Sequence, residues 1–344
     1  VLLSNAEAAG VVTGLSYGAL VVLTGMTRER LKSQLSKLKS IGVIYYHQPG
    51  VLRDQGNVRL RSVFFIDIAH PVMRGRDSVG LRVFLTSLHA RENFNFLTGF
   101  YEAALVFSEL SERQPEIAKQ IEMMGLPEKD GASYEERKQA FDLGESYSRA
   151  YTDLLGRVKA LLPSTKYLEP ATQAFLRLRE LDVGAIMEAH ILSYVLFLLS
   201  SHWNELDENP IGAEIQPVIA AINADCYSLS ASDHNREELQ GALTQAIYSL
   251  AVNVAMRLQQ HLKSIEARQA DFDFASGIFL IKPFQLAGKD FFELNVCFKP
   301  SEGVSHLNDT FLTLEGFSLS LAGGLKPLPQ AALNRTGFYG GHSV

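Results

Sequence analysis

At 344 residues the chain is longer than one hydrophobic core normally holds, and roughly two to three domains are expected. Its 47% hydrophobic and 20% charged makeup excludes a disordered tail, a collagen-like fibre and a disulfide scaffold. The formal charge of −6 hides a split, because residues 1–76 carry ten basic and four acidic side chains, net +6, which leaves −12 for 77–344. A basic head on an acidic body suits a chain in which one module meets a polyanion.

Leu2, Leu3, Ala6 and Ala9 recur at helical spacing up to Gly10 and predict a first helix, truncated at its front. The chain starts at Val1 without a Met or a basic stretch before its apolar residues, so no signal peptide is expected. Val11-Val12 reads as a short extended piece. Ser16 is the expected N-cap of a helix over Tyr17–Leu23, with Leu20 and Leu23 facing inward and Thr24-Gly25 ending it. Thr27 then caps a second helix, Arg28 to Ser40, whose Leu31, Leu35 and Leu38 form one apolar stripe. Gly42 sits where a C-terminal cap belongs, and Val43-Ile44-Tyr45-Tyr46 leads into a strand. His47-Gln48-Pro49-Gly50 and Asp54-Gln55-Gly56-Asn57 bound a flexible tip. The return strand, Arg59 to Ile68, places Leu60, Phe64, Ile66 and Ile68 on one face and Arg59 and Arg61 on the other.

From about Ser78 the pattern reads as helical. Phe94, Leu97, Tyr101, Leu105 and Leu110 mark one helix, and Leu143, Tyr147, Tyr151, Leu154, Val158 and Leu161 another. Pro163 and Pro170 precede a long apolar helix running to about Asn204. Its most apolar run, Ile191 to Ser200, is about ten residues against the ~20 that span a bilayer, so a buried core helix and no membrane contact are expected. The stripe Leu239, Leu243, Ile247, Leu250, Val254, Leu258, Leu262 and Ile265 predicts a helix of ~30 residues, about 45 Å long, which is the expected homodimer contact. After Asp271, short β-type runs (277–281, 291–298, 310–314) predict a small sheet or hairpin, followed by a loose end from Ala322.

The fold expected is mainly α with minor β: a head over 1–72, a helical domain over 78–270 and a β-rich segment over 271–344 with a loose tail. Cys226 and Cys297 are too few and too far apart for a disulfide framework or a zinc cage, and they suit a reducing cytoplasm. His202 and Glu205, with Glu188 and His190 nearby, read better as polar groups at a helix end than as a metal cluster. Asp271 and Asp273 form a D-x-D pair with no glycine loop to support it. There is no P-loop, no G-x-S-x-G and no spaced Cys/His set, so neither enzyme, cofactor nor metal is expected.

The order helix, helix, tight turn, amphipathic helix, strand, basic loop, strand directs attention to the head. Leu15-Ser16-Tyr17-Gly18-Ala19-Leu20, then Leu23-Thr24-Gly25-Met26-Thr27-Arg28, then Leu31, Leu35, Leu38, Gly42 and Ile44, resemble the bacterial winged helix-turn-helix regulators and related plasmid or mobile-element proteins. Met26 is one residue more than the usual pattern. The resemblance covers residues 1–68, about a fifth of the chain. It implies a helix that packs one stripe and offers its opposite side to the major groove of double-stranded DNA. Thr27, Arg28, Arg30, Lys32, Ser33, Ser36 and Lys37 are the expected contacts on that helix, and Arg53, Arg59 and Arg61 those of a wing on the backbone or minor groove. Glu29 works against phosphate. The function expected is a DNA-binding regulator whose body dimerises or senses a ligand; the alternatives are an assembly or docking protein of a mobile element and a replication initiator.

Overall fold

The computed structural model describes residues 1–7, 9–53, 58–68, 70, 72, 79–86, 183–208, 214–225, 236–266, 273–286, 289–298 and 310–315, and scattered helical positions between 115 and 172. They are mainly helical with a minor β component, as expected.

Ser16 Oγ accepts from the amide of Ala19 at 3.0 Å and opens α1, Tyr17–Thr24. Gly25, at φ 64°, ends it in the left-handed conformation that glycine adopts without strain. Two residues on, Thr27 Oγ1 accepts from the amide of Arg30 at 3.3 Å and opens α2, Arg28–Ser40. Leu31 and Leu35 are buried and Leu38 partly so, as the stripe predicts. In α1, Leu20 is buried but Leu23 is 55% exposed, against expectation. The inward set is Tyr17, Leu20 and Val21, and Leu23, two residues beyond Val21, is turned about 200° from it and faces away from the core.

The predicted first helix is only a 3-10 turn, Leu3–Asn5, with Leu3 half-exposed. Ala6 is already extended, and Gly10, at φ 72°, redirects the chain into β1, Val11–Val12. Beyond Gly42, also left-handed at φ 81°, β2 spans Ile44–Gln48. The predicted continuous return strand is two. Val51–Arg53 (β3) and Val58–Leu60 (β4) form a separate antiparallel hairpin, and Val63–Ile66 (β5) lies between β1 and β2 in order β1-β5-β2. The break falls at Arg61-Ser62, where Gly50 N–H donates to Ser62 Oγ at 2.9 Å. A Cβ on Gly50 would come within 2.5 Å of Leu60 O and 2.8 Å of Ser62 N, so only glycine fits that crossing.

All four residues of β5 are buried, which the expected alternation of an apolar and a charged face does not provide for. Phe64 and Ile66 join Val12, Leu20, Leu31, Leu35, Val43 and Ile44 in the core beneath α1 and α2. Val63 and Phe65 fall on the opposite face with Val11, where α3, Gly184–Ser201, packs on β2 and β5. Covering both faces is why the strand reads as a continuous apolar run.

α3 is the central helix. It is 18 residues long, longer than its apolar run, and by length and composition it matches a membrane span. Twelve of its residues are buried inside the protein, His190 among them. It contacts the head sheet, α4 (Gln216–Asp225), α5 (Arg236–Glu266) and the strand Ile278–Leu286. The 31-residue α5 has the predicted length, and Leu243, Ile247, Leu250, Val254, Leu258 and Leu262 are all fully buried within the single chain. The stripe expected to hold a second subunit is therefore occupied by intramolecular packing against α3 and α4.

The C-terminal strands appear where predicted: β7 (Ile278–Leu286), β8 (Lys289–Phe298) and β9 (Thr310–Glu315). The segment after Ser78, expected to be helical, instead supplies β6, Val79–Thr86, and the sheet order is β7-β8-β6-β9. Val79, Leu81, Val83 and Leu85 alternate along it, a period of two rather than 3.6. β6 runs antiparallel to β8 and parallel to β9. Pro283 lies in β7, an edge strand, where a missing N–H breaks no ladder. Trp203 stacks on Phe279 at 5.3 Å, and Ser200 Oγ accepts from Phe279 N at 3.1 Å, which ties this sheet to the end of α3. The stripe of residues 94–110, the tip 54–57, Asp271 and the end from Ala322 lie outside the described residues, as do all six residues of the stripe from Leu143 to Leu161.

Candidate nucleic-acid interface

The outer side of α2 carries Arg28, Arg30, Lys32, Lys37 and Lys39 against one carboxylate, Glu29. Packing produces this directly: with the leucines turned inward, Thr27, Arg28, Arg30, Lys32, Ser33, Ser36 and Lys37 are all exposed. The helix start is fixed twice, by the Thr27 cap and by Tyr17, whose hydroxyl donates to Arg28 O at 2.9 Å across the tight turn. The N-terminal amides beside Arg28 and Arg30 add a favourable field for an anion.

Lys39 is set apart from that row. Its ammonium donates to His47 Nδ1 at 3.0 Å, and the ring of His47 stacks on Phe64 at 4.2 Å. Burial first, and the Lys39 charge second, push the His47 imidazole down to about 4, so at neutral pH it accepts from Lys39 as an uncharged base.

The wing residues are not all brought together. Pairing of Leu52 with Arg59 and of Arg53 with Val58 puts positions 53 and 59 on opposite faces of the hairpin. Arg61 lies in the link between β4 and β5, with its side chain exposed and its guanidinium over Gly14. α1 exposes Val22 (80%) and Leu23 (55%) and carries no charged residue.

The weaker candidates separate. His202 and Glu205 pair with each other on the rim of a cleft of about 310 Å³ also lined by Glu208, Glu214 and Gln216. His190 is about 18 Å further back along the helix axis, buried and otherwise engaged. Asp273 caps a 3-10 turn, its Oδ1 accepting from Ala275 N at 3.2 Å. Among the described residues no three His, Cys, Asp or Glu side chains form a metal-binding group.

Sequence reading missed Tyr17 as the residue that orients α2, and it missed the Lys39–His47 pair. The first could have been found as a tyrosine at the start of the helix before the turn; the second joins residues eight apart and depends on α2 folding back on β2. No protein-family model, curated protein or solved structure matches the chain.

Proposed function

We propose that the head is a winged helix-turn-helix that binds duplex DNA and that the protein is a transcriptional regulator. The observation that carries this reading is the set of exposed cationic residues around the outer arc of α2, held on a capped helix directly after a tight turn. In this reading Arg28 and Arg30 read base edges or grip phosphate at the N-terminal end of α2, and Lys32, Ser33, Ser36 and Lys37 follow the groove. Arg53, Arg59 and Arg61 touch the backbone beside it, and their placement on different sides of the hairpin and its link implies that they do not all reach one groove. The acidic body carries the regulatory input, and its α5 stripe is not the dimer contact because it is already buried.

A docking module of a mobile element is the second reading, favoured by one observation. The exposed Val22 and Leu23 form an uncharged apolar edge of the kind that meets protein rather than phosphate. Selection from a random duplex pool at two salt concentrations separates the readings. A regulator enriches a motif and keeps its preference at physiological salt, whereas a docking module enriches none.

A further inference from the structure

The head and body meet across a seam that contains buried and half-buried acids. On one side, Glu7 of the head lies close enough to Asp225, at the end of α4, for the two carboxyls to repel. Asp225 Oδ2 accepts from Tyr194 OH at 3.3 Å and lies 3.7 Å from His190 Nδ1. His190 is fully buried, and its Nε2 is 3.0 Å from the main-chain carbonyl of Arg61, which can only accept. The ring thus donates from Nε2 to the main chain of the head and turns Nδ1 towards the Asp225 carboxylate. The charged end of Arg61 lies over Gly14, on the head. On the other side, Glu188 of α3 faces Tyr46 of β2, and its Oε1 is buried without a hydrogen-bond partner.

We propose that the seam carries a proton-sensitive clasp, in which Glu7 and Glu188 hold the head on the body when protonated and loosen it when they ionise. Two acids, one from each side of the seam, are half-buried, and among the described residues no cation pairs with either. Desolvation, joined for Glu7 by the Asp225 charge, pushes both from 4.5 up to about 7. An acid whose docked value lies above its free value binds its proton more tightly when docked. Docking is therefore full below about pH 4.5, weakens as pH rises towards 7 and levels off above that. The clasp concerns the seam alone and stands whatever α2 contacts.

The test uses the full-length protein without DNA, with hydrogen exchange of the β5 amides, corrected for intrinsic rates, at pH 5.5 and pH 8.5. Protection in the wild type is expected to fall by about thirtyfold for each acid that titrates. Glu7→Gln and Glu188→Gln mimic the protonated acids, and combining them should hold the change below about tenfold. Equal wild-type protection at the two pH values overturns the proposal without any variant. So does a double variant that loses as much protection as the wild type.

Discussion

His190 donates from Nε2 to the main-chain carbonyl of Arg61 across 129 residues of sequence, at 3.0 Å and inside the protein. The bond anchors the link between the β3–β4 hairpin and the central strand β5 to the core helix of the body, so the head is not a bead on a tether. His190→Ala leaves that carbonyl without its partner and should cost roughly 1–3 kcal/mol. Urea denaturation should show head and body unfolding in one transition; a separate, earlier transition of the head in the wild type would contradict this coupling.

Gly50→Ala tests the crossing between hairpin and sheet. Its Cβ would press on the main chain at Leu60 and Ser62, neither of which can swing aside as a side-chain end does. A loss of roughly 1–3 kcal/mol is expected. Thermal denaturation should show it, and an unchanged melting temperature would mean that the crossing relaxes freely.

The start of α2 depends on two small contacts. Thr27→Ala removes the cap and should cost about 1 kcal/mol, and Tyr17→Phe removes the bond to Arg28 O for roughly 0.5–1.5 kcal/mol. If α2 is the reading element, Tyr17→Phe should also weaken discrimination between sites more than it weakens binding to unrelated duplex. Equal losses on both would assign Tyr17 a purely structural role.

His47 gives a pH dependence of the opposite sense to the clasp. Its imidazole value is lowered to about 4 from 6.5, so its stabilisation is present above pH 6.5 and is lost as pH falls towards 4. His47→Gln should remove the part of the acid-side loss that lies in this window. A variant that loses stability between pH 6.5 and 4 as steeply as the wild type would show that the ring does not titrate with folding.

Much of the head was legible because its signals are local. Ser16, Gly25, Thr27 and Gly42 act on residues within four positions of themselves, and each stands where a cap or a left-handed turn is needed. What escaped reading depends on distant partners. Val63 and Phe65 are apolar for the sake of α3, more than a hundred residues away, so the alternation expected of β5 described only half of its surroundings. Val79–Thr86 looked like the start of a helical region because its partners, β8 and β9, come from the far end of the chain. The α5 stripe was read correctly as apolar and helical, but an apolar stripe does not say whether its partner is in the same chain. The exposed row from Thr27 to Lys37 was legible, because the positions of the leucines dictate which side remains outside.

The central claim is that the cationic side of α2 contacts duplex DNA. Fluorescence anisotropy of the wild type and of an Arg28→Ala/Arg30→Ala variant, on a selected duplex and an unrelated one at two salt concentrations, tests it most directly. The account predicts that the variant loses its preference for the selected site, by about 1–3 kcal/mol for each lost bidentate contact. Arg59→Ala should instead weaken both duplexes alike and lower the salt slope by about one. A double variant that keeps wild-type affinity and preference would contradict the assignment of α2 as the reading helix.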